Sequence, residues 1–123
     1  MSNVTVITPP DFLLNDVLSI LLIEPSTILK QEMNTKLSEL PQEVNLYYYN
    51  EENIDWLLKT VKIADIVIID LDSCSPMTKN FSSYIISQSN TFYLTNDSIS
   101  PYNLISKNRI YDLSWLNSIL KEE

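Results

Sequence analysis

Residues 64 to 73 read Ala64-Asp65-Ile66-Val67-Ile68-Ile69-Asp70-Leu71-Asp72-Ser73: an apolar run, rich in Ile and Val, that ends on a carboxylate. Such a run reads as a strand buried on both faces of a parallel sheet. Open α/β sheets hold their ligands beyond the carboxyl ends of the strands, so Asp70 and Asp72 stand where chemistry is to be sought.

Working outward, residues 17–23 form a second apolar run that ends at Glu24-Pro25-Ser26. Ser26 or Thr27 is placed to cap a helix carrying Ile28, Leu29, Met33, Leu37 and Leu40 at helical spacing, which Pro41 ends. Residues 44–49 read as a strand near a sheet edge, with aromatics on both faces. Asn50 is placed to cap a helix with Ile54, Leu57, Leu58 and Val61 as its core stripe. Beyond the central run, Pro76 suits the first turn of a helix that turns Met77, Phe81, Tyr84 and Ile85 inward. Residues 91–95 read as a strand, 101–106 as a short helix and 109–113 as a fifth strand. Ser114 caps a last helix bearing Leu116, Ile119 and Leu120.

This alternation predicts an α/β fold, a three-layer αβα sandwich around a five-stranded parallel sheet. Right-handed crossovers favour the order 2-1-3-4-5, with a switch point between the strands ending at Glu24 and Asp70. Residues 1–16 precede this domain (17–123) as a short N-terminal arm. The arm is apolar enough to dock on its own domain or to add a strand to a partner's sheet.

A chain of 123 residues is long enough for one domain with a real core. The net charge of −8 excludes the cationic surface that nucleic acid or an anionic membrane requires, and Arg109 is the sole arginine. No apolar run approaches the ~18 residues of a membrane span, and no leader pattern opens the sequence, so a cytoplasmic location is expected. The single cysteine, Cys74, precludes an internal disulfide and fits a reducing compartment. With no histidine to act as its base, Cys74 is expected to be a structural thiol. The chain also has no glycine, which removes the P-loop and dinucleotide fingerprints. Its richness in Asn, Ile, Lys, Ser and Tyr fits coding from an AT-rich genome such as that of a virus or a reduced-genome bacterium.

Glu24, Asp70 and Asp72 are expected to approach one another at the top of the sheet, where three acids suit a Mg²⁺ ion that keeps several waters. The alternative is that acids after buried strands solvate a turn and begin the next helix.

Residues 17–123 resemble a response-regulator receiver domain of the flavodoxin-like, CheY-like kind. Ile20-Leu21-Leu22-Ile23-Glu24-Pro25 resembles the first strand, which in receivers ends in an acidic pair that holds Mg²⁺; here Pro25 replaces the second acid. The resemblance puts Asp70 at the phosphoacceptor position and Thr95 at the switch hydroxyl. The Lys of the fifth strand is missing, and Tyr111 stands in its neighbourhood. Phosphoryl transfer to a carboxylate needs cationic compensation, and both departures remove it. The resemblance therefore implies a degenerate receiver: no enzyme, no cofactor beyond an occasional Mg²⁺, and a partner that is another protein or a second copy. Trp115 and Tyr102 are its candidate interface residues. An active receiver phosphorylated on Asp70 is the alternative. A further alternative comes from Val67-Ile68-Ile69-Asp70-Leu71-Asp72, which also resembles the nucleophile motif of haloacid-dehalogenase-type phosphatases, with Asp70 as nucleophile and Asp72 as general acid. Ser73 stands where that family carries Gly. Tyr47-Tyr48-Tyr49 can serve as a stacking platform, a partner surface or plain packing near the edge; the acidic charge favours packing.

Overall fold

The structure is a computed structural model that describes residues 3–13, 15–50, 53–71, 73–88, 92–96 and 104–106. In chain order they form β1 (Val4–Ile7), β2 (Leu18–Ile23), α1 (Thr27–Ser38), β3 (Val44–Tyr49), α2 (Ile54–Ile63), β4 (Ile66–Asp70), α3 (Pro76–Gln88), β5 (Phe92–Asn96) and β6 (Leu104–Ser106). The fold is mixed α/β. Its strands pair in parallel in the order β1-β3-β2-β4-β5-β6.

Helices cover both faces of the sheet, for a reason of handedness. Successive parallel strands joined by crossovers of one hand place the connection on a face set by the direction of the move. The step from β2 to β3 runs toward the β1 edge and carries α1. The steps from β3 to β4 and from β4 to β5 run the other way and carry α2 and α3. Two cores record the result. On one face Leu29, Met33 and Leu37 of α1 pack on Ile20, Leu22, Leu46 and Ile68. On the other, Trp56, Leu57 and Val61 of α2 pack with Leu21, Ile23, Tyr47 and Ile69. All five residues of β4 are buried, as an apolar run between two helical layers must be. Each fully buried Leu or Ile contributes about 1.5–3 kcal/mol over its exposed state.

The arm belongs to this sheet. β1 lies alongside β3 at one end of the described sheet, which joins four of the five expected strands to β1 and to Leu104–Ser106. The step from β1 to β2 runs in the same direction as that from β3 to β4, so its connection crosses the α2 face. There Phe12 packs on the core. Trp56 Nε1 donates to Asp11 O at 2.6 Å, and the Tyr47 hydroxyl donates to Leu13 O at 3.0 Å. Asn3 Nδ2 donates to Leu37 O and Gln42 O at 2.9 and 2.8 Å, tying the start of β1 to the end of α1.

Five local expectations are corrected. Leu104–Ser106, expected as helix, is a strand beside β5, because pairing with β5 satisfies its backbone. Asn53, three residues past the expected Asn50, caps α2 by accepting from Trp56 N–H at 3.0 Å. The buried side of α2 turns accordingly to Trp56, Leu57, Thr60 and Val61, and leaves Ile54 exposed; Ile28 of α1 is exposed as well. In α3 the residues expected inward, Met77, Phe81 and Tyr84, stand outside, and among the helix's described side chains the buried ones are Thr78 and Ile85. The expected strand at 109–113 and the helix after Ser114 lie outside the described residues. Tyr47, Tyr48 and Tyr49 are all buried, Tyr48 on the α1 face and the other two on the α2 face, because β1 covers the outer edge of β3. No helix of the described residues is long and apolar enough to cross a membrane.

Candidate functional site

The chain leaves β2 toward one face and β4 toward the other, so the carboxyl ends of these two neighbours form the switch point of the sheet. Glu24 follows β2 and Asp70 ends β4, and both are buried there.

Asp70 is wholly inaccessible. Its Oδ2 accepts from Ser26 N–H at 3.0 Å. Ser26 is the N-cap of α1, and its own Oγ accepts from Leu29 N–H at 3.1 Å. The Asp70 carbonyl accepts from Cys74 N–H at 2.9 Å and from Ser73 N–H at 3.3 Å, which closes the turn into α3. Glu24 Oε1 accepts from Ser75 N–H at 3.2 Å, and Oε2 accepts from the Thr78 hydroxyl. Ser75 Oγ in turn accepts from Thr78 N–H at 3.2 Å, in the manner of an N-cap. The Glu24 backbone is also engaged. Its N–H donates to Tyr49 O at 2.8 Å, and its carbonyl accepts from the Ser73 hydroxyl at 2.7 Å.

The two acids are thus exchanged between the two connections. The acid after β2 serves the start of α3, which follows β4. The acid of β4 serves the start of α1, which follows β2. Helix N-termini present unpaired N–H groups and a positive dipole end, which stabilises a buried carboxylate. This crossed arrangement holds Glu24 at φ 47°, in the left-handed region. Strain of that kind persists where surrounding contacts over-determine it.

A shared Mg²⁺ requires carboxylate oxygens that converge on one point. Glu24 and Asp70 direct Oε1, Oε2 and Oδ2 to two different helix starts, and Asp72, the third acid expected at such an ion, lies outside the described residues. Among the described residues no three Asp, Glu, Cys or His gather in a metal-ligating cluster. Cys74 is buried beside both acids. Burial pushes its thiol pKa up and Glu24 and Asp70 raise it further, against a smaller opposing effect of Lys79. A thiol held protonated is a poor nucleophile.

Thr95 is the Cα partner of Asp70 across the β4–β5 ladder, so the two residues stand side by side on neighbouring strands. Asp72, Tyr102, Tyr111 and Trp115 lie outside the described residues. Ser73, Ser75 and Thr78, the hydroxyl and backbone donors to Glu24, were not singled out from the sequence. Their signal was the cluster of hydroxyls flanking Pro76, where a helix begins.

No protein-family model, curated protein or solved structure matches this chain.

Proposed function

We propose that this chain is a receiver-like module without a phosphorylation switch, acting by binding another protein. The observation that carries the reading is the commitment of Glu24 and Asp70 to helix starts rather than to a common ligand. A carboxylate that caps α1 from within the core has left the role of phosphoacceptor for that of a structural joint. Counted from β2, the run β3-β2-β4-β5 has the order 2-1-3-4, which supports the flavodoxin-like arrangement 2-1-3-4-5. The net charge of −8 supports a protein partner over nucleic acid.

Titration with Mg²⁺, followed by calorimetry, tests the reading with Asp70→Asn as control. No saturable heat is expected into the millimolar range, and the two proteins are expected to behave alike. Millimolar or tighter binding that Asp70→Asn abolishes overturns the reading in favour of a phosphorylatable receiver. Turnover of a generic phosphate ester, lost in the same variant, overturns it in favour of a phosphatase.

A further inference from the structure

The arm is held less firmly than the surface that receives it. β3 pairs with β2 over six residues and with β1 over four. Among the described strands β1 pairs with β3 alone, so lifting it leaves the ladder β3-β2-β4-β5-β6 unbroken. All six residues of β3 are buried, whereas of the described residues within 3–16 only Val4 and Ile7 are. An element held by few buried side chains opens at a lower free energy than the whole fold.

The body reads the arm largely through its main chain. Val44 N–H donates to Asn3 O at 2.9 Å. Trp56 Nε1 and the Tyr47 hydroxyl, both on buried side chains, donate to the carbonyls of Asp11 and Leu13, two residues apart. Apolar anchors add selectivity: Val4 and Ile7 are buried, and the Phe12 ring lies 6.5 Å from that of Tyr47. Residues 3–10 carry no charge. Main-chain bonds to a sheet edge, with pockets for a few side chains, are how a fold recognises an extended peptide.

We propose that the arm is the cis occupant of a strand-accepting slot on β3 and α2, and that a partner protein supplies an uncharged extended segment that takes its place. The inference rests on the interaction-module reading and names the surface through which the module works. The arm itself defines the chemistry of the partner segment: aliphatic side chains at the places of Val4 and Ile7, and an aromatic ring at that of Phe12. It also sets the threshold for entry. A tethered segment competes at an effective concentration in roughly the millimolar range. A slot free about one hundredth of the time binds an incoming segment about a hundredfold more weakly than an open one. Loosening the arm therefore strengthens binding in trans.

The test adds a fluorescein-labelled peptide copying residues 3–16 to the full chain and follows its anisotropy. Ile7→Asp in the chain loosens the tethered arm, because an unpaired charge is costly to bury. Phe12→Ala loosens it more mildly and decides alone where circular dichroism shows Ile7→Asp unfolded. The peptide is expected to bind the loosened chains about tenfold or more tightly than wild type. The same Ile7→Asp change placed in the peptide is expected to abolish binding. One substitution then acts in opposite directions in the chain and in the peptide, which a merely structural role of Ile7 does not produce. Folded, loosened chains that bind the peptide no better than wild type overturn the proposal. So does a peptide that binds equally with and without its isoleucine. A concentration-dependent dimer of the wild-type chain in light scattering assigns the slot to the arm of a second copy and overturns the partner reading. The Mg²⁺ titration is read separately. Failed peptide binding with a silent titration removes the slot and leaves the module, whereas Mg²⁺ binding with successful exchange leaves the slot and removes the switchless reading.

Discussion

Glu24 adopts φ 47° in a chain that has no glycine, the residue that reaches this region without steric cost. For any other residue the left-handed conformation costs about 1–2 kcal/mol. The carboxylate offsets that cost: hydrogen bonds to charged groups contribute about 1.5–3 kcal/mol each. Glu24 accepts from both Ser75 N–H and the Thr78 hydroxyl, so the hydrogen bonds outweigh the strain. Glu24→Gly is therefore expected to destabilise the protein by about 2 kcal/mol, even though it relieves the backbone. Glu24→Ala keeps the strain, loses the bonds and ranks below it. Urea denaturation of the three proteins checks the order; a glycine variant as stable as wild type removes the carboxylate from any structural role.

Helix α3 shows how an element can keep its sequence pattern and turn it outward. Met77, Phe81, Tyr84 and Ile85 recur at helical spacing and predict a single inward stripe. The first turn is instead held by Thr78, whose hydroxyl donates to Glu24 and whose N–H is capped by Ser75. With Thr78 inward, the residue seven positions on, Ile85, follows it into the core, and the three others turn toward water. Ile85→Ala is accordingly expected to cost about 2–4 kcal/mol. Phe81→Ser, although it removes a larger apolar group, is expected to stay within about 0.5 kcal/mol of wild type. Chemical denaturation of both variants checks this, and the reverse ranking would falsify the observed rotation of α3.

Over the whole molecule, β1 closes the side of the sheet that the doubly wound core leaves open. All six residues of β3 are buried because β1 lies outside them and the segment after it crosses Tyr47 and Trp56. Phe12, Tyr47, Trp56 and Tyr49 meet in succession with ring centroids 6.0–6.5 Å apart, tilted at the first two contacts and stacked at the last. Removing residues 1–16 makes β3 an apolar edge, which templates pairing with other chains. The truncated protein is expected to melt at a lower temperature and to show a mass that rises with concentration in light scattering, while the full chain stays monomeric. An unchanged mass and melting temperature after truncation would show that the arm is no part of the sheet.

Some of this was determined by the sequence alone. Runs such as 66–70 and 20–23 have no polar face, so they must be buried on both sides, and this requires a parallel sheet under two helical layers. The ends of those runs then place Glu24 and Asp70 at the switch point. These are local facts, carried by side chains a few positions apart. Other features were decided only by tertiary structure. Which stripe of α3 faces inward, what the two acids bind and where the arm docks depend on partners far apart in the chain: 54 positions for Glu24 and Thr78, 44 for Ser26 and Asp70, 34 for Asn3 and Leu37. Periodicity marks that a helix has an apolar side, but a buried carboxylate that must be satisfied sets which side the core receives. Read in the sequence, Asp70 ends a strand where chemistry is sought; in the folded chain it caps α1.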